Sequence, residues 1–210
     1  MELQQKTVLL LSIFTLWRPK SDISRLQCRD VLFHTEKERI TGVTLVSRLP
    51  REAQQKAITL GITNTSDLCP VTTLHFFIQQ TKRYRGNLPE HQTLFLVYID
   101  NDQHMTISVS LNTVISWIKS DMAQAGIDTT KHQPHLIRSA ASTKTIQLGF
   151  KVEEVKKHAN WSLNSNTFEK YYYKPNNTDR ISTTIGNSRS TVFRKTLPCL
   201  ESGRRQQGLE

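Results

Sequence analysis

Arg18 lies between an apolar run and Pro19, and Arg138 follows His135 by three residues within a stretch of helical spacing. That offset sets His135 and Arg138 on one face of a helix. Farther along come Trp161 and three consecutive tyrosines, Tyr171, Tyr172 and Tyr173. Residues of these types can do phosphoryl chemistry. Cutting a nucleic-acid strand without a metal needs a nucleophile for phosphorus, cations around the pentavalent phosphate, and a proton donor for the departing 5′ oxygen. Arginine suits the second role, because its planar fork grips two phosphate oxygens and stays charged at ordinary pH. A tryptophan N–H can donate to the same oxygens but cannot titrate. Taken singly the signals are weak: an arginine at a turn is more often a surface charge, His-x-x-Arg is common on helices, and three tyrosines also suit an aromatic patch.

The elements that must position these residues are legible in the periodicity. Leu3, Val8, Leu11, Ile13, Phe14 and Leu16 predict a helix buried on most sides, ended by Trp17-Arg18-Pro19. Ser21 or Asp22 is then expected to cap a second short helix through Ile23, Leu26 and Cys28. Val31–Phe33, Gly42–Val46 and Ala57–Leu60 are rich in β-branched residues and predict three strands, the last two suited to a hairpin around Pro50–Ala53. Helices follow from Pro70, from Leu111 to a stop near Gly126, over His135–Leu148, over Val152–Lys157, and from Asn166 or Thr167. Beyond Pro175 large apolar residues become scarce, so residues 177–210 are expected to be a polar, disordered tail behind a domain of residues 1–176.

Composition narrows the classes of function. The chain has 210 residues, enough for one core, and 28 Lys and Arg against 18 Asp and Glu give a formal charge of +10, a field that attracts polyanions. Cys28, Cys69 and Cys199 match no metal-ligand spacing and imply free thiols in a reducing compartment. The apolar run from Val8 to Trp17 is too short to span a bilayer. No glycine-rich phosphate loop is present, which argues against a kinase or NTPase.

Trp17-Arg18-Pro19-Lys20-Ser21-Asp22-Ile23, the strands, His135-Leu136-Ile137-Arg138, His158-Ala159-Asn160-Trp161 and the run from Thr167 to Pro175 together resemble the tyrosine recombinase, or phage-type integrase, family. The resemblance runs from Leu3 to Asn176, and it looks most similar to the recombinases of Crypton-like and DIRS-like mobile elements of eukaryotes. It implies an α+β fold, mainly helical, with a small three-stranded antiparallel sheet. It implies Arg18 and Arg138 as the two catalytic arginines, His135 as the histidine between them, and Trp161 as a hydrogen-bond donor to the scissile phosphate. The nucleophile by resemblance is Tyr172, within aromatic-Tyr-x-basic-Pro, with Tyr171 as the alternative because the loop after Trp161 is one residue longer than usual.

The family also carries a lysine in the loop between the second and third strands, where it protonates the leaving oxygen. Counting back from Leu60 gives Arg51 at that position. Arginine keeps the charge but hardly gives up a proton, so the departure implies slower or absent chemistry. Lys56 stands five residues on, about 16 Å along an extended strand, too far for a simple exchange of roles without a remodelled loop. The resemblance further implies double-stranded DNA as partner, a homo-tetramer on DNA, no cofactor, no metal and no membrane, and a nuclear location in a eukaryote or a cytoplasmic one otherwise. It also implies that the N-terminal half of the usual DNA clamp is absent. Lys82, Arg83 and Arg85 are candidates for the DNA-facing surface. Two readings stay open: DNA breakage and rejoining through a 3′-phosphotyrosine, and a catalytically impaired, mobile-element-derived DNA-binding protein that keeps the fold. A type IB topoisomerase would share the chemistry, but the surroundings of Trp161 and Tyr-Lys-Pro look like a recombinase.

Overall fold

A computed structural model describes residues 2–48, 55–85, 88–89, 91–97 and 107–174. Helix α1 (Glu2–Thr15) is buried along much of its length, and the buried hydroxyls of Ser12 and Thr15 each donate to the carbonyl four residues earlier. Such back-bonding lets polar side chains enter a core without an unpaired donor. The helix stops at Leu16, which takes a left-handed φ of 56°, and Thr15 Oγ1 accepts the N–H of Trp17.

The second helix expected from Ser21 or Asp22 does not form. Asp22 turns back instead: its Oδ2 accepts the N–H of Arg18 at 2.9 Å, and the Arg18 carbonyl accepts from both Asp22 and Ile23. The result is a single π-type turn over Pro19–Ile23, followed by a 3-10 turn at Cys28–Asp30. An aspartate is a good helix cap when its carboxylate meets the N–H groups ahead of it, and here it is engaged by the one behind.

Three antiparallel strands come next, β1 (Val31–Glu36), β2 (Arg39–Ser47) and β3 (Lys56–Gly61), in the order β1-β2-β3. Pairing sets Val43 opposite Leu60 and Leu45 opposite Ile58, which puts all four on the buried face. On the other face His34, Thr44 and Thr59 join in a hydrogen-bonded row across the strands. Residues 49–54 of the β2–β3 connection, Arg51 among them, lie outside the described residues.

Helices α2 (Pro70–Arg85) and α3 (Leu111–Gln124) pack on α1. They share one apolar core with α1 and the sheet, including Leu11, Trp17, Leu45, Leu74, Phe77, Phe95 and Ile118. At the end of α2 Lys82 and Arg83 are exposed, but Arg85 is spoken for. Its guanidinium donates to Thr81, the Cys28 thiol and the Leu94 carbonyl and lies over the Phe77 ring, so it ties elements together rather than facing a ligand.

Helices α4 (Leu136–Gln147), α5 (Val152–His158) and the short α6 (Thr167–Tyr171) close over a second, smaller core. Leu16, Val155, Ala159 and Phe168 form it, with Trp161, Tyr172 and Tyr173 packed against it. The compact unit ends at Lys174, and residues 177–210, expected from the sequence to form a polar tail, lie outside the described residues. Among the described residues no helix is long and apolar enough to cross a membrane.

Two glycines in the sheet separate packing from propensity. A Cβ on Gly42 would stand 2.8 Å from the Leu60 carbonyl oxygen, whereas one on Gly61 would meet nothing within 4 Å. Gly42→Ala is expected to cost about 1–3 kcal/mol by forcing β2 and β3 apart, and Gly61→Ala to stay within about 0.5 kcal/mol of the parent. Urea unfolding of the two variants side by side measures the difference.

Candidate active site

Arg138 is the centre of the site. It is 4% exposed, its Nε donates to the Leu16 carbonyl, and its guanidinium lies 4.0 Å from the Trp161 ring centroid and 5.0 Å from that of Tyr172. Arginine faces aromatic rings well because its charge meets the negative face of each π system. One nitrogen, Nη1, is buried and makes no hydrogen bond among the described residues. Burial pushes the group down to about 10, the Tyr172 phenol pulling it back up, Arg18 pushing it further down and Asp22 pulling it up. It stays a cation at neutral pH. Arg18 and Asp22 are therefore within electrostatic reach of Arg138.

Arg18 itself is exposed, at the mouth of the turn that Asp22 braces. Asp22 is 1% exposed, and Lys56, the first residue of β3, brings its ammonium 3.9 Å from Asp22 Oδ1. Lys56 alternates with Ala57 and so shares the inward face of β3 with Ile58 and Leu60. Strand spacing discounted this lysine, yet the fold carries it to the turn that holds Arg18. His135 is exposed at the start of α4, and His158 docks instead on α1, its Nε2 lying 2.7 Å from the Phe14 carbonyl.

The three tyrosines separate cleanly. Tyr171 is 66% exposed, Tyr173 stacks on Phe168, and Tyr172 turns inward, its ring 5.1 Å from Trp161 and beside Arg138. The Tyr172 backbone is pinned as well. Its carbonyl accepts from the hydroxyls of Ser139 and Thr143 on α4, and Thr143 Oγ1 also accepts the N–H of Lys174 at 3.1 Å. Because Ser139 and Thr143 follow Arg138 on the same helix, one element fixes both the guanidinium and the tyrosine. Helix α6 is tied down further by Lys156, a buried ammonium on α5 that reaches Glu169 at 2.7 Å and the Ser165 carbonyl at 2.8 Å. The Lys156 hydrogen bond holds the Glu169 carboxyl below its ordinary range.

Four of the residues singled out in the sequence thus converge: Arg18, Arg138, Trp161 and Tyr172. His135 is the residue that caps the start of the helix carrying Arg138, and Arg51 lies outside the described residues. Sequence reasoning missed Asp22 as a brace and Ser139 and Thr143 as clamps, and it discounted Lys56, whose ammonium the fold brings to Asp22 in the Arg18 turn. The signal available for the clamps was their i+1 and i+5 spacing from Arg138, which is too common to single out.

The mainly helical architecture with its three-stranded antiparallel sheet is the catalytic-domain fold of tyrosine recombinases. Three solved structures show the likeness. The XerH site-specific recombinase bound to its difH substrate, in a pre-cleavage complex, aligns with a TM-score of 0.55 at 14% identity over 87% of this chain and 45% of that one. A post-cleavage complex of XerH with palindromic difH gives 0.55 at 13% identity, over 91% and 46%. XerA recombinase gives 0.54 at 13% identity, over 89% and 63%. The chain thus spans less than half of each XerH chain and less than two thirds of XerA. No protein-family model matches the chain, and no curated protein matches it.

The clamp on the tyrosine has a measurable consequence. Replacing Ser139 by Ala and Thr143 by Val together strips the Tyr172 carbonyl of both donors, a loss of about 1–3 kcal/mol for a part-buried group. Amide exchange at Tyr173 and Lys174 is expected to accelerate in the double variant while exchange within α1 stays as in the parent.

Proposed function

We propose that this domain breaks and rejoins DNA through a covalent 3′-phosphotyrosine on Tyr172. The observation that carries the reading is Arg138 Nη1, a buried guanidinium nitrogen without a hydrogen bond among the described residues, beside the inward-turned Tyr172. A scissile phosphate is a fitting acceptor, since a desolvated arginine gains most from an anion that takes its remaining donors. Arg18 would grip a second phosphate oxygen from the exposed side, and the Trp161 indole N–H would donate without titrating.

The bonds balance without a cofactor. The Tyr172 phenol gives its proton to solvent and its oxygen bonds to phosphorus, while the P–O5′ bond breaks and the departing oxygen takes a proton. Lys56 is the acid we assign to that step, because its ammonium reaches the Asp22–Arg18 turn and lysine, unlike arginine, gives up a proton readily. Reversing the steps from a new 5′ hydroxyl rejoins the strand. His135, exposed at the N-cap of the helix that carries Arg138, is available to the phosphate or to the phenol proton.

The likeness to DNA-bound recombinases and the formal charge of +10 support double-stranded DNA as the substrate, with phosphate contacts dominating affinity. Assembly as a tetramer on DNA, and descent from Crypton-like or DIRS-like mobile elements, belong to the same proposal and rest on the sequence motifs. The rival reading, a DNA-binding protein that no longer cuts, draws support from Arg51 in place of the family's lysine. Assignment of the acid to Lys56 removes that support.

A pool of duplexes with randomised sequence around a nick tests the reading, since loss of the short fragment beside the nick traps any covalent complex. Wild type and Tyr171→Phe are expected to form the complex and Tyr172→Phe to form none. A wild type that never becomes DNA-linked while still binding the duplexes in a salt-dependent way would favour the non-cutting rival. Lys56→Gln is expected to slow complex formation by about 10²–10⁴-fold, the usual worth of a positioned general acid.

A further inference from the structure

Asn160 combines two features that a simple turn residue does not need together. Its backbone holds a φ of 53°, in the left-handed region, between the end of α5 and Trp161. Glycine makes such a turn at least steric cost, and asparagine is the side chain that tolerates it best. The side chain then leaves its own turn: Nδ2 donates to the Ala57 carbonyl oxygen at 3.0 Å, a contact across 103 residues of chain.

Ala57 follows Lys56 at the start of β3, and β3 is an edge strand. The outer carbonyls of an edge strand have no ladder partner, and strand ends are where local opening begins. Asn160 supplies a partner at that end. Trp161, the next residue along, packs on Arg138 and Tyr172.

We propose that Asn160 is a positioning residue, whose amide straps the first residues of β3 to the Trp161 turn and so holds the Lys56 ammonium beside the phosphate that Arg138, Trp161 and Tyr172 surround. The inference rests on the cleavage reading with Lys56 as the acid. Asn160 touches no reacting atom in this account. It fixes the distance between two groups that come from opposite parts of the chain, one on the leaving-oxygen side and one on the phosphate side.

Two variants of the full chain isolate the strap. Asn160→Gly keeps the left-handed turn without a steric cost and loses the donor, while Asn160→Asp keeps shape and turn but points oxygen at the Ala57 carbonyl. Both are expected to slow covalent-complex formation about tenfold or more on the randomised nicked duplexes, with Asn160→Gly unfolding at or above the parent temperature. On duplexes carrying a 5′-bridging sulfur at the scissile phosphate the leaving thiolate needs no proton. There the deficits of Asn160→Gly and Lys56→Gln are expected to vanish together.

Unchanged rates on the oxygen substrate overturn the proposal. So does a deficit that persists on the sulfur substrate, because Asn160 would then act through Trp161 or the fold. The strap is also read without any cleavage: amide exchange over residues 55–61 is expected to accelerate in Asn160→Gly while α1 is unaffected, and equal exchange overturns it. A wild type that gives no Tyr172-dependent complex, with exchange over residues 55–61 altered as expected, would count against the cleavage reading instead.

Discussion

A cation buried without a carboxylate directly bonded to it governs much of this structure. Taking a guanidinium out of water costs several kcal/mol unless it is compensated, and Arg138, whose Nη1 makes no hydrogen bond among the described residues, is compensated in part by a carbonyl that accepts its Nε–H and by two aromatic faces. Each of these comes from elsewhere in the chain. The carbonyl belongs to Leu16, so α1 must end in a left-handed residue, a conformation that costs a non-glycine residue about 1–2 kcal/mol. The rings belong to Trp161 and Tyr172, so α5 and α6 must close over the same small core that Leu16 enters. One buried charge therefore couples the first helix to the last two.

That coupling also explains which parts of the molecule were legible in the sequence. Strands β1, β2 and β3 and helices α1 to α6 fall where hydrophobic period and turn residues put them, because local pattern and burial agree there. The failure is Asp22, which reads as a helix cap by type and position and serves as a brace for the Arg18 turn. A carboxylate bonds whichever N–H the fold brings to it, and only the tertiary structure says which. Tyr172 was preferred to Tyr171 by motif, and the two differ in their surroundings. Inward packing on Arg138 and a doubly bonded carbonyl distinguish it from a neighbour that faces solvent.

Lys56 marks where counting along a chain loses its meaning. Spacing measures distance along a straight strand, but a side chain is placed by where the strand ends and by what that end packs on. The inward face of β3 delivers Lys56 toward Asp22 by the same alternation that buries Ile58 and Leu60. Hydrophobic patterning of a strand can thus aim a polar residue, provided that it sits at the strand's end, where the apolar core gives way to the site.

The tyrosine segment is built on a different principle from the arginine. Helix α6 has five residues, too few to be stable alone, since helix nucleation is unfavourable and so short a stretch recovers few hydrogen bonds. Phe168 in the small core, the Lys156–Glu169 pair and the Ser139 and Thr143 hydroxyls hold it from outside. Neutral hydrogen bonds of this kind are worth about 1 kcal/mol each, and a partly exposed ion pair is screened by solvent. Such a segment holds the Tyr172 ring against Arg138, and its contacts lie apart from the core that α1 and the sheet share. On the proposed cleavage reading, a tyrosine that attacks a phosphate and stays attached to it while the rest of the DNA moves would need both properties, and Arg138, fixed by burial, would need only the first.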